Sequence, residues 1–357
     1  MALPPGGAGS TGVAAGVVAA ADLLCEAALS GDRRALARLL TAVENRTPLA
    51  EAAMRRFYPL AGRAQLVGIT GPAGAGKSTL VAALIAELRR CGRPVAVVAV
   101  DPSSPITGGA VLGDRVRMQS YAGDDDVFIR SMASRGHAGG LSAATTAAAA
   151  LFDAAGFGTV LIETVGTGQS EVEVAATADT TVVVEAPEMG DEIQAIKAGL
   201  LEVADIIVVN KGDRPGAQRT AGQLRSMLAD SPPARPGRPA PKHPAVLLTT
   251  APTGEGVVEL LAAIDAHRAT APGTGDGSVR LRRAETQVWA VLSDRLHERL
   301  RTIEGPVDDG PEASLPDASV ATPTATASAA DLLRLVATHE MDPYTAADRL
   351  LALLLGA

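Results

Sequence analysis

An apolar run, Leu66-Val67-Gly68-Ile69-Thr70, leads directly into Gly71-Pro72-Ala73-Gly74-Ala75-Gly76-Lys77-Ser78, and the chain leaves through a stretch of helical composition, Leu80 to Leu88. The octapeptide fits G-x-x-x-x-G-K-[ST] at every fixed position, and strand, loop, helix is the context that pattern requires. Its glycines open backbone angles closed to other residues, so that amides can turn inward on an anion. The N-terminus of the following helix adds its positive end. Lys77 is expected to reach the β- and γ-phosphates and the Ser78 hydroxyl to ligate Mg²⁺, with Thr79 beside them. A glycine-rich turn carrying a chance Lys-Ser is the plain alternative. The flanking strand and helix argue for a nucleoside triphosphate.

Further strand-like runs follow at 95–100, 159–163, 181–185, 205–210 and 245–250, separated by helix-like segments. Their near-continuous Val, Ile and Leu character predicts strands buried on both faces, as in a parallel sheet covered by helices. The chain is therefore expected to be α/β: a P-loop, doubly wound, mostly parallel sheet with helical N- and C-terminal extensions. The expected parts are a disordered start (about 1–16) and helical extension within 1–60, a nucleotide domain over 61–270, and a helical region over 271–357 that could dimerise. In the first part, Leu36, Leu39, Leu40 and Val43 recur at helical spacing after a Ser30-Gly31-Asp32 start signal. In the last, Val288, Leu292, Leu296 and Leu300 draw one apolar stripe, joined by Trp289.

Asn210-Lys211-Gly212-Asp213 follows the run Asp205 to Val209, where a buried strand ends. There the Asp213 carboxylate can accept from the ring N–H and the exocyclic amine of guanine, a donor pair adenine lacks. Asn210 is expected at the base edge and the alkyl part of Lys211 over the ring. Thr250-Ala251-Pro252, after the last strand, would cover the guanine O6 with a backbone amide. These residues point to GTP and GDP.

Other acids fall where a metal would sit. Asp101 ends the second strand, in Val100-Asp101-Pro102, and is expected to hold Mg²⁺ directly or through water; a surface aspartate is the alternative. Asp114 lies among glycines and either orders the metal or the attacking water, or caps the following helix. Glu163, in Leu161-Ile162-Glu163-Thr164-Val165-Gly166, occupies the place of the Asp-x-x-Gly element of GTPases. It should contact the Mg²⁺ shell, while the Gly166 amide senses the γ-phosphate. Thr167, not Gln, follows that glycine, so unaided hydrolysis should be slow and open to acceleration by a partner. The segment Phe128 to Leu141 carries Arg130 and Arg135 among small residues; either could touch phosphate, or simply solvate or pair. His137 within it is read as incidental.

Across 357 residues the hydrophobic content is 47% with only 2% aromatics, so the core must lean on Val, Leu, Ile and Ala. A net charge of −8 argues against a nucleic-acid groove or an anionic membrane surface as partner. Cys25 and Cys91 lie far apart without metal-ligand spacing, which suits thiols of a reducing compartment. Residues 1–32 hold no Lys or Arg, unlike a secretory or mitochondrial leader, and no uncharged apolar stretch is long enough for a bilayer span, which needs roughly 20 residues. A soluble cytoplasmic protein is expected. The Pro-rich run 231–244 is given no function.

Taken together and in order, Asp101-Pro102-Ser103-Ser104-Pro105, the Gly-Asp-Arg-x-Arg-Met run at 113–118, Glu163-Thr164-Val165-Gly166, Met189-Gly190-Asp191-Glu192-Ile193-Gln194-Ala195-Ile196-Lys197, Asn210-Lys211-x-Asp213 and Asp342-Pro343-Tyr344 resemble the methylmalonyl-CoA mutase-associated GTPases of the MeaB/ArgK type. The resemblance covers nearly the whole chain. It implies a homodimeric P-loop GTPase that chaperones adenosylcobalamin-dependent methylmalonyl-CoA mutase, gating cofactor loading and protecting or reactivating it, without itself holding cobalamin; whether the partner is that mutase or a related acyl-CoA mutase is left open by the sequence. It further implies a second switch at 187–197, in which Gln194 and Lys197 matter. Two departures stand out: Thr167 where the family usually has Val, and Pro187-Glu188-Met189 where Pro-Gly is common. The competing expectations are an amino-acid transport kinase or ATPase, which Asp213 disfavours, a nickel-inserting metallochaperone GTPase, which the scarcity of Cys and His disfavours, and a scaffold that binds GTP without turnover.

Overall fold

The computed structural model describes residues 9–102, 121, 123–134, 140–164, 174–175, 177–187, 203–229, 243–270, 281, 284–293, 295–296 and 329–355. Three helices open the chain: α1 (Gly9–Leu29), α2 (Arg33–Glu44) and α3 (Pro48–Phe57). Asp32 caps α2 by accepting from the amides of Arg34 and Ala35, and Thr47 caps α3 ahead of Pro48, whose fixed φ suits a first helical position. Leu36, Leu39, Leu40 and Val43 face inward as their spacing requires. The helix α1 begins at Gly9, so it takes in residues expected to be disordered: the Gly/Ala-rich text that reads as coil continues a helix whose later turns bury Ala21, Cys25 and Ala28.

The sheet follows with β1 (Gln65–Thr70), α4 (Lys77–Arg90), β2 (Val95–Pro102), β3 (Val127–Ser134), α5 (Gly140–Ala154), β4 (Thr159–Thr164), β5 (Thr180–Glu185), β6 (Ile206–Val209), α6 (Ala217–Ala229), β7 (Ala245–Leu248) and α7 (Val257–Thr270). Helix α8 (284–293), α9 (Ala329–Ala337) and α10 (Pro343–Leu355) complete the described elements. The seven strands run parallel in the order β3-β2-β4-β1-β5-β6-β7. With β1 in the centre and its neighbours β4 and β5 reached in opposite directions, the C-terminal end of β1 is a topological switch point, where open α/β sheets bind ligands.

Strand alternation divides the core. Val67, Ile69, Val97, Leu161, Val182 and Val184 pack against α4 and α7. Ala96, Val98, Val160 and Ile162 face α5 and the N-terminal helices, and Val183, Ile207 and Val209 face α6. All four phenylalanines of the chain, Phe57, Phe128, Phe152 and Phe157, lie in the layer with α5. The scarce aromatics are thus concentrated where the helical extension meets the sheet.

The two ends of the chain share that layer. Tyr58 donates its hydroxyl to Gln287 of α8 at 2.7 Å and stacks on His339, with ring centroids 4.4 Å apart. Arg295 pairs with Glu51 at 2.6 Å, and Arg55 with Asp348 of α10 at 3.1 Å.

Two readings of the sequence differ from the structure. The segment holding Arg130 is strand β3, and of the roles left open for Arg130 the structure shows pairing: its guanidinium donates to Glu44 (2.5 Å) and Thr41 (3.1 Å) of α2 and fastens the helical layer to the sheet edge. Trp289 is 59% exposed and Leu296 44%; among the described residues of the expected stripe Val288 and Leu292 are buried, with Val291 beside them. A helical wheel gives the spacing but not the side on which the partner lies. Arg135, His137, Leu300 and most of the Pro-rich run lie outside the described residues. Both cysteines are free thiols, and burial pushes Cys25 up to about 11. Among the described residues no helix is long and apolar enough to cross a membrane.

Phe152 is fully buried, with Phe128 at 5.2 Å and Phe157 at 5.6 Å between ring centroids. Phe152→Ala is expected to lower stability by about 3–5 kcal/mol in denaturant unfolding. The same variant, measured while still folded, should keep nucleotide affinity unchanged.

Candidate nucleotide-binding site

At the end of β1 the chain must turn within one residue of its neighbour β5. Gly71 makes that turn at φ 134°, where a Cβ would lie 2.1 Å from the Val184 carbonyl oxygen. Gly76 caps α4 in the left-handed region at φ 93°. A Cβ there would meet the Asn210 amide nitrogen at 2.4 Å. Between them Pro72, Ala73 and Gly74 form the outer rim, while Ala75 is fully buried beneath it. Lys77 is buried and donates from Nζ to the carbonyls of Gly71 (2.7 Å) and Pro72 (2.9 Å), so its ammonium sits inside the loop.

One residue on, Ser78 donates to Glu163 Oε1 at 2.5 Å. Glu163 stands near the tip of β4 and is 4% exposed; the alternation that turns Leu161 toward α4 turns Glu163 the same way. Thr79 is half-buried in the first turn of α4. A hydroxyl and a carboxylate thus converge where the helix N-terminus is positive. Such hard oxygen donors suit a small divalent cation.

The second loop is bound to the first. Asn210 is 1% exposed and uses both ends of its amide. Nδ2 donates to the carbonyl of Ala75 at 3.0 Å and approaches that of Gly76 at 3.4 Å. Oδ1 accepts from the Thr249 hydroxyl at 3.1 Å and the Ala251 amide at 3.2 Å. Asn210 therefore joins three loops, with its amide lying between the phosphate loop and the loop after β7. Lys211 takes φ 58° and donates to the Gly74 carbonyl at 2.7 Å, so its alkyl chain spans the gap between the loops. Asp213, two residues further on, is exposed.

The backbone amides that follow β7 have partners within the protein. Thr250 donates its amide to Glu255 at 2.9 Å, Ala251 donates to Asn210, and Pro252 has no N–H. The side chain of Asp101, and Asp114, Gly166, Gln194 and Lys197 altogether, lie outside the described residues.

Two buried residues near the strand ends escape a reading of motifs, and the first belongs to the site. Thr249 is buried and holds the base loop through its hydroxyl and its carbonyl, yet it belongs to no motif. Glu185 ends β5 much as Glu163 lies near the end of β4 and is 2% exposed, but alternation sends it to the face opposite α4. The pattern of apolar strand ending in an acid was the signal available for it. At the far end of α4, Arg89 bonds Asp124 (2.9 Å) and Asp126 (2.6 Å), holding the Asp124 carboxyl below its ordinary range and tying the phosphate-loop helix to the turn before β3.

Residues 36–304 match the profile of the family described as methylmalonyl Co-A mutase-associated GTPase MeaB. The chain belongs to this family. It is a P-loop GTPase, in line with its MeaB-family relatives. A Pyrococcus horikoshii protein provisionally named a GTPase is 44% identical over 336 residues, covering 94% of this chain and 98% of that protein. The GTPase ArgK of Escherichia coli is 46% identical over 187 residues, 51% of this chain and 56% of that one. The mouse methylmalonic aciduria type A homolog is 32% identical over 299 residues, 79% of this chain and 71% of that one. A crystal structure titled LAO/AO transport system kinase superposes with TM-score 0.62 at 30% identity, covering 80% of this chain and 86% of the other. In this MeaB-family chain, Asn210→Ala would leave the buried Ala75 carbonyl and Ala251 amide short of a partner. We expect GDP affinity, read with a fluorescent analogue, to fall by roughly 10–100-fold.

Proposed function

We propose that the chain binds GTP with Mg²⁺ between the 71–79 and 210–213 loops, hydrolyses it to GDP and phosphate, and uses that cycle as a chaperone for an adenosylcobalamin-dependent acyl-CoA mutase, methylmalonyl-CoA mutase foremost. The observation that carries the nucleotide reading is the Asn210 bridge, which sets a phosphate loop and a base loop at one fixed separation. Lys77 turns from the Gly71 and Pro72 carbonyls to the β- and γ-phosphates, and the amides of the 71–78 loop receive the phosphate oxygens. Ser78 and Glu163, with Asp101 and Asp114, hold Mg²⁺, which when bound neutralises charge building on the phosphates. Water attacks the γ-phosphorus as its bond to the β,γ-bridging oxygen breaks, GDP leaving with that oxygen. Asp213 receives the two guanine donors, and the alkyl chain of Lys211 covers one face of the base.

Loss of the γ-phosphate releases the Gly166 amide, and the residues Gln194 and Lys197 pass the nucleotide state to the mutase. The family description and the name of the mouse relative support the mutase as partner. A homodimer in the cytoplasm completes the proposal.

Phosphate release is the direct test. The chain alone should turn GTP over slowly, and addition of the mutase should accelerate it; no change with any acyl-CoA mutase would contradict the chaperone role. Lys77→Ala should weaken nucleotide binding severely. Asp213→Asn should shift preference away from GTP, and an unaltered preference would rule out the base assignment.

A further inference from the structure

Between Lys211 and Asp213 the base loop carries a glycine whose presence no motif demands. We propose that Gly212 is a positioning residue for guanine selectivity: the missing side chain at 212 lets the loop lie against Thr249 and thereby sets where the Asp213 carboxylate stands. This rests on the reading of Asp213 given above.

A Cβ on Gly212 would come within 3.2 Å of the Thr249 carbonyl oxygen and 3.2 Å of the Thr250 hydroxyl oxygen. Contacts that short require one side to move. The Thr250 hydroxyl can rotate, but Thr249 cannot yield. Its amide donates to Val209 at 3.0 Å, its carbonyl accepts from the Gly212 amide at 2.8 Å, and its hydroxyl donates to Asn210 at 3.1 Å. It is 1% exposed, and the turn after it is pinned by the pairing of Thr250 with Glu255.

The other side of the contact, held to Thr249 through the Gly212 amide, gives way more readily at its exposed outer end. Lys211 is already in the left-handed region, the Arg214 amide closes a turn onto the Lys211 carbonyl at 2.9 Å, and Asp213 at the outer end is exposed. A side chain at 212 therefore pushes outward and carries the carboxylate with it. The Asn210 bridge and the phosphate loop stay in place, so the loss falls on the base contact.

The readout is the ratio of affinities for GTP and ITP, because inosine keeps the ring N–H and lacks the exocyclic amine. Both are measured by competition against fluorescent GDP on the full chain, with thermal unfolding of the nucleotide-free protein alongside. Gly212→Ala is expected to cut the GTP-over-ITP preference roughly tenfold. Gly212→Ala with Thr250→Ala, which removes one of the two contacts, should recover part of it. A merely structural role would lower both affinities together and leave the ratio unchanged, and that result overturns the proposal. So does an unchanged ratio with unchanged affinities. Asp213→Asn is the separate control. If it gains affinity for XTP while Gly212→Ala leaves the ratio intact, the base reading stands and only the role of Gly212 falls. If it gains none, the base reading itself fails.

Discussion

The side-chain amide of Asn210 is the tie on which the site depends. Its two ends are buried, and between them they engage Ala75, Gly76, Thr249 and Ala251. A neutral amide can donate and accept at once, which neither Asp nor Lys can do in a fixed geometry. It can therefore bind a loop presenting carbonyls on one side and a loop presenting a hydroxyl and an amide on the other. Close approach is possible only because Gly76 has no Cβ to collide with it. The distance between phosphate grip and base grip is thus a property of the protein before any ligand arrives, so ordering the loops costs little on binding.

The sheet makes that tie possible. Parallel order places the ends of β1, β4, β5 and β6 at one edge, so residues far apart in sequence meet there. Alternation then decides which face each terminal side chain serves: Glu163 turns to α4 and Ser78, whereas Glu185 turns away. The N- and C-terminal helices contribute no described residue to the nucleotide loops. They cover the opposite face with the phenylalanine cluster, and the Arg130 pair and the Tyr58 contacts fasten them there.

What could be read from residues alone follows the same physics. Strands buried on both faces announce themselves as unbroken Val/Ile/Leu runs, and the 71–78 loop is specified by backbone angles that only glycine reaches. Strand β3 was illegible because Val127-Phe128-Ile129-Arg130-Ser131-Met132-Ala133-Ser134 interrupts its apolar run with an arginine, and the Glu44 that neutralises it comes from a helix 86 residues away. The bridge that the Asn210 amide makes between the loops was equally hidden. A motif records which residue type occurs after a strand, not which neighbours the fold delivers to it. The start of α1 and the outward turn of Trp289 fail for a related reason, since spacing alone does not say where a helix finds its cover.

The measurement that bears most directly on this account is calorimetric titration of the full chain with GDP and with ADP, each with Mg²⁺. A site whose two loops are held at a fixed separation, with Asp213 in the second of them, predicts that GDP binds at least about 100-fold more tightly than ADP. Equal affinities would show that the pocket grips phosphates without reading the base, and would contradict it.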